Sequence, residues 1–91
     1  MDAQPIALEI LRDGGSTRML VSGELDLVTA PWLERAVEEH LEAADDVVVV
    51  DLTRARVGDS APIDVLVRAR NRAAHYGRRL DVVWRYWPLA S

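Results

Sequence analysis

Ser60 is the residue best placed to do chemistry in this chain of 91 residues. It follows Val47-Val48-Val49-Val50-Asp51-Leu52 and then Val57-Gly58-Asp59, and it precedes Ala61-Pro62. The valine run reads as a buried strand, and the proline reads as the first turn of a helix. A hydroxyl at that junction lies beside unpaired backbone N–H groups and the positive end of a helix dipole. Such a place favours a group that acquires negative charge. A serine ahead of a helical proline is also an ordinary N-cap, and a capping hydroxyl can still be an acceptor.

Nucleophilic catalysis at Ser60 would need a base within hydrogen-bond reach and an oxyanion site. Asp59 is adjacent, but no local motif brings His40 or His75 near. The nearest glycine pair, Gly14-Gly15, lacks the lysine and the spacing of a phosphate-binding loop. The expectation is therefore a protein without enzymatic activity and without a cofactor. Cysteine is absent, so thiolate metal sites and disulfides are excluded. The two histidines lie far apart, which argues against a histidine metal centre.

Apolar residues make up 49% and charged residues 29%, the balance of a soluble globular chain. The length suits one domain, residues 1–91. No apolar run reaches the length of a bilayer span. The start, Met1 to Pro5, lacks the basic and apolar regions of a secretory signal, and a cytoplasmic location is expected. The net charge of −4 disfavours nonspecific nucleic-acid binding. All eleven basic residues are arginine, so any anion contact would use a planar fork.

The elements around Ser60 follow from periodicity. Ile6, Leu8 and Ile10 alternate in a first strand. Asp13-Gly14-Gly15-Ser16 reads as a tight turn, and residues 17–22 return as the second strand of a hairpin. After Gly23-Glu24-Leu25-Asp26, Thr29 reads as an N-cap with Pro31 in the first turn. Leu33, Ala36, Val37, His40, Leu41 and Ala44 mark one face of a helix from about Ala30 to Ala43, closed by Asp45-Asp46. His40 reads as a packing residue. The run Val47 to Leu52 does not alternate, which predicts a central strand covered on both faces, with Thr53 to Arg56 as the loop beyond it. Pro62 opens a second helix. Its inner stripe is predicted as Ile63, Leu66, Val67, Ala73 and Ala74, with Arg70 at the boundary. Gly77 reads as its C′ residue. Arg68, Arg70 and Arg72 point to solvent, with Arg78 and Arg79 after the helix. A last strand covers Leu80 to Trp84. Trp84 and Tyr86 share one side of it and Trp87 the other, either closing the core edge or forming a contact patch. The order β-β-α-β-α-β predicts an α/β fold: a mixed sheet of about four strands with two or more helices packed on one face.

With Gly23-Glu24-Leu25-Asp26, Thr29-Ala30-Pro31, Val50-Asp51-Leu52 and Asp59-Ser60 in this order, the chain resembles a STAS domain from about Ile6 to Val83. It is most similar to the stand-alone type that acts as an anti-sigma factor antagonist. The resemblance implies that Ser60 is a phosphoacceptor and that Asp59 and Asp26 lie beside it. Thr29, Ala61 and Pro62 fall near the same partner-binding switch. The implied partner is an anti-sigma factor that is itself a serine kinase, with a serine phosphatase restoring the free hydroxyl. Binding of that partner would free a sigma factor for transcription. The same fold also supplies docking subunits of phospholipid-transporting ABC systems, which are not phosphorylation switches. Two departures stand out. Ala61-Pro62-Ile63 replaces the usual Ser-Gly-aliphatic continuation, and the family's further helix and final strand have no counterpart. A face left bare by that shortening would favour a homodimer.

Overall fold

The computed structural model describes residues 6–42 and 47–87. The elements run β1 (Ile6–Asp13), β2 (Ser16–Leu25), α1 (Ala30–Glu42), β3 (Val47–Val57), α2 (Ala61–His75) and β4 (Arg79–Val83). They form a four-stranded sheet in the order β1-β2-β3-β4. β1 and β2 are an antiparallel hairpin that closes between Asp13 and Ser16. Gly14 takes φ 63 in that turn, which a side chain would oppose. β2, β3 and β4 are mutually parallel. Both crossovers advance in the same direction across the sheet, so right-handed connections put both helices on one face.

That face is the core. Met19 and Val21 of β2, Val48, Val50 and Leu52 of β3, and Leu80 of β4 are buried against Leu33, Val37 and Leu41 of α1 and Leu66 of α2. The opposite face carries no helix among the described residues. The valine run therefore alternates after all: Val48 and Val50 are fully buried, while Val47 and Val49 are half-buried. The expectation of a strand covered on both faces fails because β-branched residues are also favoured on a half-covered surface. Thr53 to Arg56, expected as a loop, continues β3. An extra β3 residue lies between the pairs Leu20–Asp51 and Ser22–Arg54, and this bulge lets the strand run on to Val57.

On the open face Asp51 is an anchor. Its Oδ1 accepts from the Thr53 N–H at 2.9 Å and the Thr53 hydroxyl at 2.6 Å. Its Oδ2 accepts from Arg18 Nη2 at 2.7 Å and Nε at 3.3 Å. Burial by itself would push this carboxyl up. The Thr53 bonds and the Arg18 guanidinium outweigh burial and hold it below its ordinary value.

α1 begins at Ala30 and runs at least to Glu42, close to the predicted span; Asp45 and Asp46 lie outside the described residues, as do Met1 to Pro5. His40 is half-buried and its Nδ1 is 2.9 Å from the Ala36 carbonyl oxygen, consistent with packing. In α2 the buried residues are Pro62, Val65, Leu66, Ala69 and Ala73. The predicted stripe was rotated: Ile63 and Val67 are half-buried and Ala74 is exposed. Packing against α1 and β4 decides that rotation, which periodicity in a helix this rich in apolar residues does not. Arg68 pairs with Glu34 at 3.5 Å, and Arg72 pairs with Glu38. These arginines, expected in solvent, lace α2 to α1.

α2 ends in a Schellman turn. The Arg78 N–H donates to the Ala73 carbonyl at 2.9 Å and the Gly77 N–H to that of Ala74 at 3.1 Å. Gly77 sits at φ 69, and no atom lies within 4 Å of where a Cβ would be. Gly77→Ala is therefore expected to cost only the left-handed backbone penalty, about 1 kcal/mol. Urea denaturation checks it, and an unchanged midpoint would show that the turn does not hold this conformation. Beyond β4, Trp84 and Trp87 pack against the core, and Arg70 lies over the Trp87 ring at 5.5 Å. Tyr86 remains exposed and meets Trp84 edge to face at 5.1 Å. The tryptophans close the core edge, as one of the two sequence readings held.

Candidate functional site

The parallel strands β2 and β3 deliver two loops to the same end of the sheet. One joins β2 to α1 and the other joins β3 to α2. The Gly58 N–H donates to the Leu25 carbonyl at 2.8 Å, which brings them together. Asp59 then fastens them. Its Oδ2 accepts from the Leu27 N–H and its Oδ1 from the Ala61 N–H, each at 3.0 Å. One carboxylate thus caps α2 and holds the neighbouring loop.

Asp26 organises its own loop. Its Oδ1 accepts from the N–H groups of Val28 at 2.9 Å and Thr29 at 3.1 Å. Thr29 starts α1 through its carbonyl, which accepts from Trp32 and Leu33. Its hydroxyl points backward, accepting from the Asp26 N–H at 2.9 Å and donating to the Glu24 carbonyl at 3.1 Å. The side-chain N-cap expected of Thr29 is therefore not made. That hydroxyl locks the loop instead.

Ser60 is the residue before α2, at φ −84 and ψ −10, and its hydroxyl makes no capping bond. The first helical N–H, that of Ala61, is taken instead by the Asp59 carboxylate. Ser60 is exposed, so its hydroxyl stands in solvent at the start of a helix of 15 residues. Asp26, Thr29, Asp59, Ser60 and Ala61 are thus brought to one corner. Pro62 is also there, but its ring is buried in the core. It shapes the helix start and presents nothing to a partner.

Leu27 and Val28 were not singled out from sequence. They are 71% and 84% exposed, on the loop that Asp59 holds beside Ser60. Trp32 in the first turn of α1 is exposed as well. A legible signal existed: two large apolar residues directly after Asp26, ahead of the helix and outside its stripe. Between the helix starts lies a shallow groove of about 260 Å³, lined by Leu27, Ala30, Pro31, Ala61, Asp64 and Val65 among others. No group of metal-ligating side chains occurs among the described residues, and none of their helices is long and apolar enough to cross a membrane. The arrangement suits recognition by contact and charge.

A family model described as "Mlab, STAS domain" matches residues 9–84. The chain belongs to the STAS domain family. Among solved structures, an anti-sigma factor antagonist from Mycobacterium paratuberculosis is 25% identical, with a TM-score of 0.75 over 90% of this chain and 70% of that one. The anti-sigma factor antagonist SpoIIAA of Bacillus shares the fold at 13% identity. Its unphosphorylated form has a TM-score of 0.67 over 84% of this STAS domain and 71% of that chain. Its phosphorylated form has a TM-score of 0.64, over 81% and 68%. Mglu also contains the fold, at 21% identity and a TM-score of 0.69 over 81% of this chain but only 18% of that one. No curated protein sequence matches.

Proposed function

We propose that this STAS domain is an anti-sigma factor antagonist, bound through the corner around Ser60 and switched by phosphorylation there. The carrying observation is the uncommitted, exposed Ser60 hydroxyl beside the exposed Leu27-Val28 pair, on loops that Asp59 ties together. The apolar pair supplies contact area for the partner. The hydroxyl supplies the switch. A kinase-type anti-sigma factor would transfer the γ-phosphoryl of ATP to Ser60 Oγ, releasing ADP while the hydroxyl proton passes to a base on the kinase. A phosphatase would add water across that ester bond, returning serine and inorganic phosphate. SpoIIAA, which shares the fold, has been solved in both states.

The electrostatics support the direction of the switch. A phosphoserine carries about −1.5 to −2 charge at neutral pH. Asp26, Asp59 and Asp64 already stand around it, so phosphorylation concentrates negative potential on the contact surface. The start of α2 tolerates the added charge. The domain stays folded while its partner is repelled.

Affinity capture from the native cytoplasm, with wild type and Ser60→Asp read by mass spectrometry, tests this. Wild type is expected to retain a kinase-type anti-sigma factor and Ser60→Asp to lose it, its affinity falling about tenfold for a repulsion near 1.4 kcal/mol. Retention by both variants alike would overturn the switch. The Ala61-Pro62 continuation favours a second reading, a constitutive docking subunit of a phospholipid-transporting ABC system. Capture of the same transporter ATPase by both variants would establish it.

A further inference from the structure

β3 spans Val47–Val57, yet β4 spans only Arg79–Val83 and pairs with β3 no further than Asp51. Among the described residues, nothing pairs with that side of β3 from 52 to 57. The bulge turns the Thr53 N–H onto Asp51, which leaves the stretch from Arg54 onward as an open sheet edge. Beside it runs a groove of about 360 Å³ lined by Leu52, Thr53, Ala55, Trp84 and Arg85. Arg85 is the charged residue lining that groove, while Arg54 and Arg56 stand on the same stretch of β3 and line hollows toward β2 and β1. Arg54 has no carboxylate partner among the described residues, and Arg56 meets Glu24 only at 3.6 Å with both side chains mostly exposed. Arg85 lies over the Tyr86 ring at 5.5 Å rather than against an acid.

We infer that this edge is a docking site for an extended acidic segment of a partner protein, added to the sheet as a strand. The backbone groups of β3 supply the hydrogen bonds, and alternate side chains of the added strand meet Arg54 and Arg56 across the pair. Trp84 closes the groove at its end. A second copy of this chain fits poorly, because antiparallel pairing of two such edges sets arginine against arginine. The edge ends at Val57, where the chain enters the loop to Ser60, so the two places are neighbours, but the inference does not depend on the function proposed there.

The test is an NMR titration of the intact domain with a short blocked peptide alternating glutamate with threonine. A lysine–threonine peptide of the same length is the control. Shifts are expected at the amides of 54–57 and at the Trp84 indole with the acidic peptide only. Arg54→Glu with Arg85→Glu should weaken binding about tenfold or more, since attraction becomes repulsion. Among the described residues neither arginine holds an ion pair to a carboxylate, so the variant should stay folded, with shifts confined to the neighbours of the two substitutions and the Tyr86 ring. Ser60→Asp, which lies outside the paired stretch, should weaken peptide binding far less than the double arginine variant. Equal response to the lysine peptide, shifts at 26–29 and Ser60 instead, or no shift at millimolar peptide would each overturn the inference. So would a concentration-dependent dimer protecting the same amides without peptide, which would assign the edge to a second copy.

Discussion

Leu66→Ala is expected to destabilise this domain by about 2–5 kcal/mol. Leu66 is fully buried between α1 and the sheet, so truncation leaves a cavity that its neighbours fill only in part. Domains of this size hold roughly 5–15 kcal/mol in all. A loss near 3 kcal/mol lowers the melting temperature by roughly 12–24 °C at this length. The consequence reaches the site, because α2 carries Ser60 at its start and Leu66 fixes the helix against the core. Thermal unfolding followed by circular dichroism measures the effect. A matched pair tests the helix rotation itself. Val65 is 3% exposed whereas Val67 is half-buried, so Val65→Ala should cost more than Val67→Ala. The reverse order would restore the stripe expected from sequence.

Asp51→Ala is expected to cost about 1.5–3 kcal/mol, the range for a lost hydrogen-bonded charged group. It removes the acceptor for Thr53 and the partner of Arg18, and it frees the bulge that lets β3 run on to Val57. Arg18 keeps 46% of its side chain in solvent, so its charge is not stranded. The wild-type contribution depends on pH with a definite sign. The folded carboxyl titrates below its unfolded value, so the stabilisation is complete above the unfolded value of about 3.9 and is lost as pH falls through the folded value. Melting temperatures of wild type and Asp51→Asn should therefore begin to converge as pH falls below about 4 and meet only below the folded value. Parallel curves through that range would show that Asp51 gains nothing from its charge.

The composition, the glycine turns and the order of apolar runs determined a single mixed sheet with helices on one face. They did so because each element carries its own period and its own punctuation. Ser60 ahead of Pro62 and Gly77 after the second helix are local signals, and α2 starts and ends beside them. The family was legible for the same reason, since three of its four motifs sit at element boundaries and the fourth lies within β3. Tertiary structure decided what lies between elements far apart in sequence. Thr29 has the chemistry of a cap, but its hydroxyl finds Glu24 and Asp26 first. Ser60 has the same chemistry, but Asp59 reaches the Ala61 N–H and also finds Leu27 across the loop. The length of β3 depended on a bulge held by Asp51, and the inner side of α2 on which faces of α1 and β4 it met. Side-chain hydrogen bonds and helix rotation are settled by which partner is nearest in space, and a linear sequence does not contain that distance.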